Sequence, residues 1–170
     1  MLQGYQVVMI DEARLATYLQ DHYAGSSAGI ELFKRAADQQ TDPVVRTALA
    51  KMVQEVEEER TALERYLAAV GAKPDQLKNA GAWMAEKLAR LKPNGELLRR
   101  SPLSDLIELE ALRVAVEGKA AGFRLLRSLA DEEPHFDAAE LDSLLSQVAQ
   151  QIEDLEALRM TTAQRVLRHP

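Results

Sequence analysis

Residues 42–71 read DPVVRTALAKMVQEVEEERTALERYLAAVG and have the features of one long amphipathic helix. Asp42 is a typical N-cap residue, Pro43 fits the first helical position, and Gly71 is a typical stop. Between them, side chains recur at alternating spacings of three and four, which places them on one helical face. This stripe contains one carboxylate and comprises Leu49, Met52, Val56, Glu59, Leu63, Tyr66 and Val70.

Three other segments show the same periodicity. Helix one is predicted from about Asp11 to Asp38, and helix three opens at Ser101-Pro102 by the same combination of cap and proline. Helix four follows residues 137–140, DAAE, which are close to a capping box with Asp in the capping position. The chain therefore contains four helices of about 25 residues or more.

The segment 71–102 connects helices two and three and holds several prolines and glycines, with a shorter helix predicted at 75–91. Short turns join helices one to two and three to four, so each pair forms an antiparallel hairpin. We predict an all-α four-helix bundle in which the long crossover leaves helices two and three parallel. The bundle forms a single domain over residues 1–170, with a leader at 1–10 and a tail at 165–170.

Composition excludes several classes of function. The net charge is −6 with acidic and basic residues interleaved, so no basic stripe is available for nucleic acid. No apolar run approaches the roughly 20 residues of a transmembrane helix, and no signal peptide pattern is present. The chain has no cysteine, which removes disulfides, thiolate catalysis and cysteine-ligated metals. We expect a cytoplasmic protein with no membrane or nucleic acid partner.

Two long hairpins joined by a long central connection resemble the ferritin-like superfamily, and the resemblance covers residues 11–167. The resemblance implies a di-metal site inside the bundle. One Glu would come from each of two helices, and a Glu-x-x-His pair from each of the other two. Residues three apart share a helical face, so both members of such a pair reach the same metal ions.

The sequence departs from that signature at the histidines. Its one Glu-x-x-His runs from Glu132 to His135 and is interrupted by Pro134 in a connecting turn. Helices two and four offer pairs that end in a carboxylate instead: Glu55-x-x-Glu58 and Glu153-x-x-Glu156. The resemblance is therefore one of architecture, and a fold by itself does not carry function.

Three polar residues interrupt the predicted core stripes: His22, Glu59 and Lys119. Antiparallel pairing of helices one and two places His22 level with Glu59, and parallel helices two and three place Lys119 at nearly the same depth. The Lys119 ammonium would then take the place of a metal cation. The alternatives are a structural His22–Glu59 hydrogen bond and a Lys119 side chain that extends along the edge of the stripe to water.

These observations favour a non-catalytic or vestigial ferritin-like bundle without a cofactor. Its role would be structural, or that of an interaction module, and its expected assembly is a homodimer. The alternative is a protein that binds iron or manganese at an altered, carboxylate-rich site made of His22, Glu55 and Glu59. A small-molecule pocket at the glycine- and serine-rich stretch is a third and more distant hypothesis.

Three further features allow more than one interpretation. Residues 25–29, GSSAG, favour close helix packing, with a cavity or a contact between subunits as the alternative. The alternating charges between Glu110 and Arg124, and those between Glu153 and Arg159, favour salt-bridged, solvated faces over metal ligands. Trp83 in the crossover fits a cap on one end of the bundle or a dimer contact.

Overall fold

The structure, a computed structural model, describes residues 10–73 and 101–168. These residues form four α-helices and no strand. The helices are α1 (Glu12–Gln39), α2 (Pro43–Ala69), α3 (Pro102–Leu129) and α4 (Ala138–Leu167). The prediction of an all-α four-helix bundle is confirmed. The predicted crossover helix, Trp83 and all but the last residue of the predicted leader lie outside the described residues.

Local sequence explains where each helix begins. An Asp or Ser precedes each first turn, and its side chain accepts a hydrogen bond from a backbone N–H of that turn. These capping residues are Asp11, Asp42, Ser101 and Asp137. Gly71, just beyond α2, has a φ of 72°, a left-handed conformation that favours glycine.

The fourth helix extends further than predicted. A tail was expected from residue 165, but α4 continues to Leu167. Arg165 lies in the last turn, where its guanidinium contacts the Asp105 carboxylate at 3.4 Å and the Asp42 carboxylate at 3.9 Å. These ion pairs hold the final turn of α4 against the rest of the bundle.

Helix order in the bundle follows from the contacts. The pairs α1–α2 and α3–α4 pack along each other, α1 also packs on α3, and α2 touches α4 over a shorter stretch than any of these. At one end, the Gln40 side chain after α1 donates to the backbone carbonyl of Asp105 in α3 at 2.9 Å. Since α2 and α3 both start at this end, they run parallel.

The core is built mainly from leucine and aromatic side chains, and near His22 of α1 it differs from the prediction, which placed Leu19 and then His22, three residues later, on the inward stripe. Leu19 and Tyr23 are buried there, whereas His22 is only half-buried. The inward residue after Leu19 is therefore Tyr23, four positions later, and not His22, three positions later. The imidazole of His22 points towards α3 instead. Within residues 10–73 and 101–168, no helix is both long and apolar enough to cross a membrane.

Candidate functional site

Four polar side chains from three helices meet in the centre of the bundle. Lys119 of α3 donates hydrogen bonds from Nζ to Glu59 Oε2 of α2 and to Gln151 Oε1 of α4, the latter at 2.6 Å. The Gln151 amide donates from Nε2 to Glu59 Oε1 at 2.9 Å and to Glu55 Oε2 at 3.0 Å. We call Glu55, Glu59, Lys119 and Gln151 the central polar cluster.

One spacing places three of these residues at the same depth. Each of Glu59, Lys119 and Gln151 lies three residues after a buried valine and four before a buried leucine or phenylalanine. Residues at those spacings share the inward face of a helix. The flanking apolar side chains close the cluster above and below, and they are Val56 and Leu63, Val116 and Phe123, and Val148 and Leu155.

Burial is uneven across the cluster. Glu59 and Gln151 are each only 1% exposed. The side chains of Lys119 and Glu55 are 20% and 21% exposed, so the cluster opens towards solvent on their side. Lys51, one turn before Glu55, contacts the Glu55 carboxylate at 3.3 Å. Two carboxylates are therefore each contacted by a lysine of the same chain.

Burial shifts both members of the central ion pair towards their neutral forms. It raises the pKa of Glu59, and this effect outweighs the opposing attraction of Lys119 and the hydrogen bond from Gln151. Burial likewise lowers the pKa of Lys119 against the attraction of Glu59. Desolvation of two charges is costly, and it is offset only where partners satisfy the polar atoms. The Gln151 amide supplies such partners to both charges.

His22 lies apart from this cluster. Its ring packs against Tyr18 with centroids 4.5 Å apart, and it covers Gly122 of α3 so closely that a Cβ at residue 122 would be 2.9 Å from Nδ1. No hydrogen bond joins His22 to Glu59 in the described part of the chain. Burial lowers the pKa of His22, against the attraction of Asp21. The structure thus brings Glu59 and Lys119 together but places His22 elsewhere.

The donor set of the central polar cluster does not fit the di-metal site of a ferritin-like protein. Its oxygen donors are the carboxylates of Glu55 and Glu59 and the amide oxygen of Gln151, and the Lys119 ammonium binds two of these three groups. A metal ion there would meet a positive charge. Among residues 10–73 and 101–168, no group of three or more His, Cys, Asp or Glu side chains is arranged to hold a metal.

The buried polar residues that were not singled out from the sequence include Gln151 and Asp105. Gln151 has the same three-and-four spacing as Glu59, which is a signal that could have identified it. Asp105, four residues before Leu109, is fully buried and accepts hydrogen bonds from the backbone and the hydroxyl of Thr41. It ties the α1–α2 turn to α3 in a second polar site, away from the central polar cluster.

The remaining sequence features have ordinary structural roles. Arg113 of α3 contacts Glu156 of α4 at 3.2 Å, so the charged faces of these helices form ion pairs, as the alternating charges indicate. At Gly25 and Gly29, a Cβ would meet nothing within 4 Å, whereas Gly122 lies at a tight contact. The close helix approach expected at residues 25–29 thus lies instead between α1 and α3, at His22.

Comparison with known protein families gives a match over most of the chain. A family described as a domain of unknown function (DUF892) matches residues 11–167. This range begins at the N-cap of α1 and ends at the last residue of α4, so it covers the whole bundle. No curated protein and no solved structure matches the chain.

Proposed function

This chain belongs to the DUF892 family of domains of unknown function, and we propose that it is a ferritin-like bundle in which the Lys119 ammonium takes the position of a metal cation. Its role is that of a non-catalytic structural or interaction module. The observation that carries this proposal is the pair of hydrogen bonds from Lys119 Nζ to Glu59 and Gln151, in the layer where the three helices face each other.

Charge balance supports the proposal. A ferritin-like metal site places carboxylates in a bundle core and neutralises them with bound cations. Here the two carboxylates of the central polar cluster are Glu55 and Glu59, and Lys51 and Lys119 contact one each. Both lysines are part of the chain, so neither can leave the protein as a bound ion can. With Lys51 counted, the charges at the cluster balance without any bound ion.

Metal analysis of wild-type protein purified without a His-tag tests this proposal. After incubation with iron(II) or manganese(II) and removal of free metal, we expect far less than one ion per chain. Lys119→Ala removes the tethered cation and leaves two carboxylates and an amide oxygen, so we expect it to retain more metal than the wild type. The matched control is Lys34→Ala, which removes a lysine that pairs with Glu57 on the exposed surface, outside the cluster, and should retain no more metal than the wild type.

The alternative, a protein that binds iron or manganese at an altered site, rests on one specific observation. Glu55 Oε2 and Glu59 Oε1 both accept hydrogen bonds from the same Gln151 nitrogen, so the two carboxylates converge. One stoichiometric ion in the wild type that is lost in Glu59→Gln would support this alternative. The same result would overturn the lysine proposal.

A further inference from the structure

The outward side of α3 carries an apolar stripe along most of the helix. Its members are spaced alternately four and three residues apart, and we call them the α3 seam: Ile107, Ala111, Val114, Gly118, Ala121 and Leu125. Val114 is 70% exposed, Ile107 41% and Leu125 37%. Six apolar residues in this repeat form a seam of the kind that packs against another helix.

The seam distinguishes α3 from α2. On α2, the exposed residues include Lys51, Glu57, Glu58 and Arg65, as is usual for the solvent-facing side of a bundle helix. On α3, the inward face is filled by core residues such as Leu109 and Leu112, and the opposite face is apolar as well. A helix that is apolar on opposite faces is typical of one with partners on both sides.

We propose that a second copy of this chain docks on the α3 seam, with the two α3 helices antiparallel about a two-fold axis level with residue 116. In a two-fold interface, the same patch on each copy must complement itself. The seam meets this condition because its pairs 107 and 125, 111 and 121, and 114 and 118 are all centred on residue 116. This inference is independent of the role proposed for Lys119.

Side-chain size is complementary in this arrangement. Val114, the most exposed of the large side chains in the seam, lies opposite Gly118 of the partner subunit, and the symmetry repeats the contact. Gly118 has open space where a Cβ would point, so it provides a hole for the valine knob. Ala121, which is exposed, would face Ala111 of the partner subunit, which is half-buried at the edge of the core, and these small side chains would allow close approach of the two backbones. Parallel helices would instead place Val114 against Val114 of the partner subunit.

Charge is also complementary along the edge of the seam that faces α4. The two-fold axis brings this edge of one copy against the same edge of the other. In this register, Glu110 and Arg124 of the partner subunit differ by about 3 Å in their positions along the helix axis. Arg113 and Glu117 of the partner subunit differ by the same distance. Within the described residues, Arg124 and Glu117 form no ion pair. The dimer would give each an oppositely charged neighbour, four contacts in all.

The area of the α3 seam indicates how tightly two copies would associate. From Ile107 to Leu125 the helix rises about 27 Å, and a strip 10–12 Å wide covers about 300 Å² per copy. A standard interface buries about 800 Å² per partner, so the α3 seam provides less than half of one. We therefore expect weak association, with a dissociation constant no lower than the micromolar range.

Sedimentation velocity of the full chain between about 1 and 200 μM tests the proposal. We expect the wild type to shift from monomer to dimer across this range. Val114→Glu places a charge at the centre of the interface and should lower the association constant at least about 30-fold. Val44→Glu on α2 is the matched control, because Val44 is also 70% exposed but lies off the seam, and it should dimerise like the wild type.

Cysteine crosslinking tests the antiparallel geometry. The chain has no cysteine of its own, so any disulfide must form between the introduced residues. Ile107→Cys and Leu125→Cys are prepared separately, mixed and oxidised. We expect a disulfide-linked dimer from the mixture but not from either variant alone. Crosslinking of a single variant would overturn the antiparallel register. A monomer at every concentration, or equal dimerisation of Val114→Glu and Val44→Glu, would overturn a second copy as the occupant of the seam.

Discussion

At the scale of single residues, the central polar cluster depends on mutual satisfaction of its buried groups. The Lys119 ammonium neutralises Glu59, and the Gln151 amide bonds to both carboxylates as well as to the ammonium. A buried ion pair contributes little net stability compared with apolar side chains, but removal of one partner leaves an uncompensated charge. The effect of a substitution therefore depends on which partner is left behind.

Lys119→Met tests this dependence, because methionine keeps an unbranched side chain of similar size and removes the charge. The Glu59 carboxylate loses its cation in the core, and we expect the free energy of unfolding to fall by about 3 kcal/mol at pH 7. Urea denaturation gives the measurement. Burial already raises the pKa of Glu59, so the folded variant takes up a proton more readily than the unfolded chain. The loss of unfolding free energy in this variant, relative to the wild type, should therefore become smaller as the pH is lowered.

The double variant Lys119→Met with Glu59→Gln is the control for that prediction. It leaves no buried charge at this position, so its stability should lie within about 1 kcal/mol of the wild type. Lys51→Met removes an exposed lysine and should change stability by less than about 0.5 kcal/mol. If the double variant were as unstable as Lys119→Met alone, the loss would arise from packing and not from charge.

Gly122 gives a second prediction at the residue scale. Alanine is a better helix former than glycine by about 1 kcal/mol, but its Cβ at this position would lie 2.9 Å from Nδ1 of His22. We expect Gly122→Ala to destabilise the protein by about 1–2 kcal/mol, because the imidazole must move. Thermal unfolding measures the effect. Addition of His22→Ala should remove the clash and partly restore stability.

Gly29→Ala is the matched control. It is also a glycine within a helix, but a Cβ there would meet nothing within 4 Å. We expect it to stabilise the protein by about 0.5–1 kcal/mol, as helix propensity alone predicts. Equal effects of the two glycine substitutions would contradict the close contact between α1 and α3.

At the scale of helices, polar contacts at both ends fix how the two hairpins sit on each other. At one end, Asp105 joins the α1–α2 turn to α3 and to the end of α4. At the other end, Tyr66 of α2 donates a hydrogen bond to Glu140 of α4 at 2.6 Å, and Arg65 pairs with the same carboxylate. These contacts connect α2 to α4, which of the four contacting helix pairs pack over the shortest stretch, so they supplement a small helix contact.

The Glu140 contact predicts a pH dependence of stability. Hydrogen bonds from Arg65 and Tyr66 lower the pKa of Glu140 in the folded state. At a pH below about 4.3, the ordinary pKa of a glutamate side chain, the unfolded chain therefore binds more protons than the folded one. Stability from this contact is complete above that pH and is lost as the pH falls through the folded pKa. Chemical denaturation between pH 7 and pH 3 should show this loss in the wild type.

Glu140→Gln should weaken that part of the pH dependence and reduce stability at pH 7 by about 1 kcal/mol, because it retains the shape but loses the charge. Glu58→Gln on the exposed side of α2 removes one negative charge without a hydrogen-bonded partner in the described residues, and it serves as the control. A Glu140→Gln profile parallel to that of the wild type would contradict the stabilising role of this carboxylate.

At the scale of the whole molecule, the lysine proposal predicts that folding is independent of metal. A structural metal bound only by the folded state would raise the melting temperature, and a chelator would lower it. We expect the melting temperature of the wild type to change by less than about 1 °C on addition of EDTA, manganese(II) or iron(II). A shift of several degrees, absent in Glu59→Gln, would contradict the proposal.

The fold was largely predictable because its determinants are local. Asp42, Ser101 and Asp137 mark helix starts by the chemistry of their own side chains, and Gly71 marks a helix stop. Apolar periodicity then identifies one face of each helix, which suffices to predict a four-helix bundle. Periodicity is less informative about the end of α4, because the contacts of Arg165 that extend this helix come from residues far away in the chain.

The site was only partly predictable. Residue spacing alone determined that Glu59 and Lys119 fall on inward faces, and parallel helices then place them at one level. Only the tertiary structure decided that Gln151 joins them and that His22 turns away to Gly122. Helical periodicity fixes which side of a helix a residue occupies to within one position, about 100° of rotation. Which neighbouring helix a borderline side chain then meets depends on how all four helices pack.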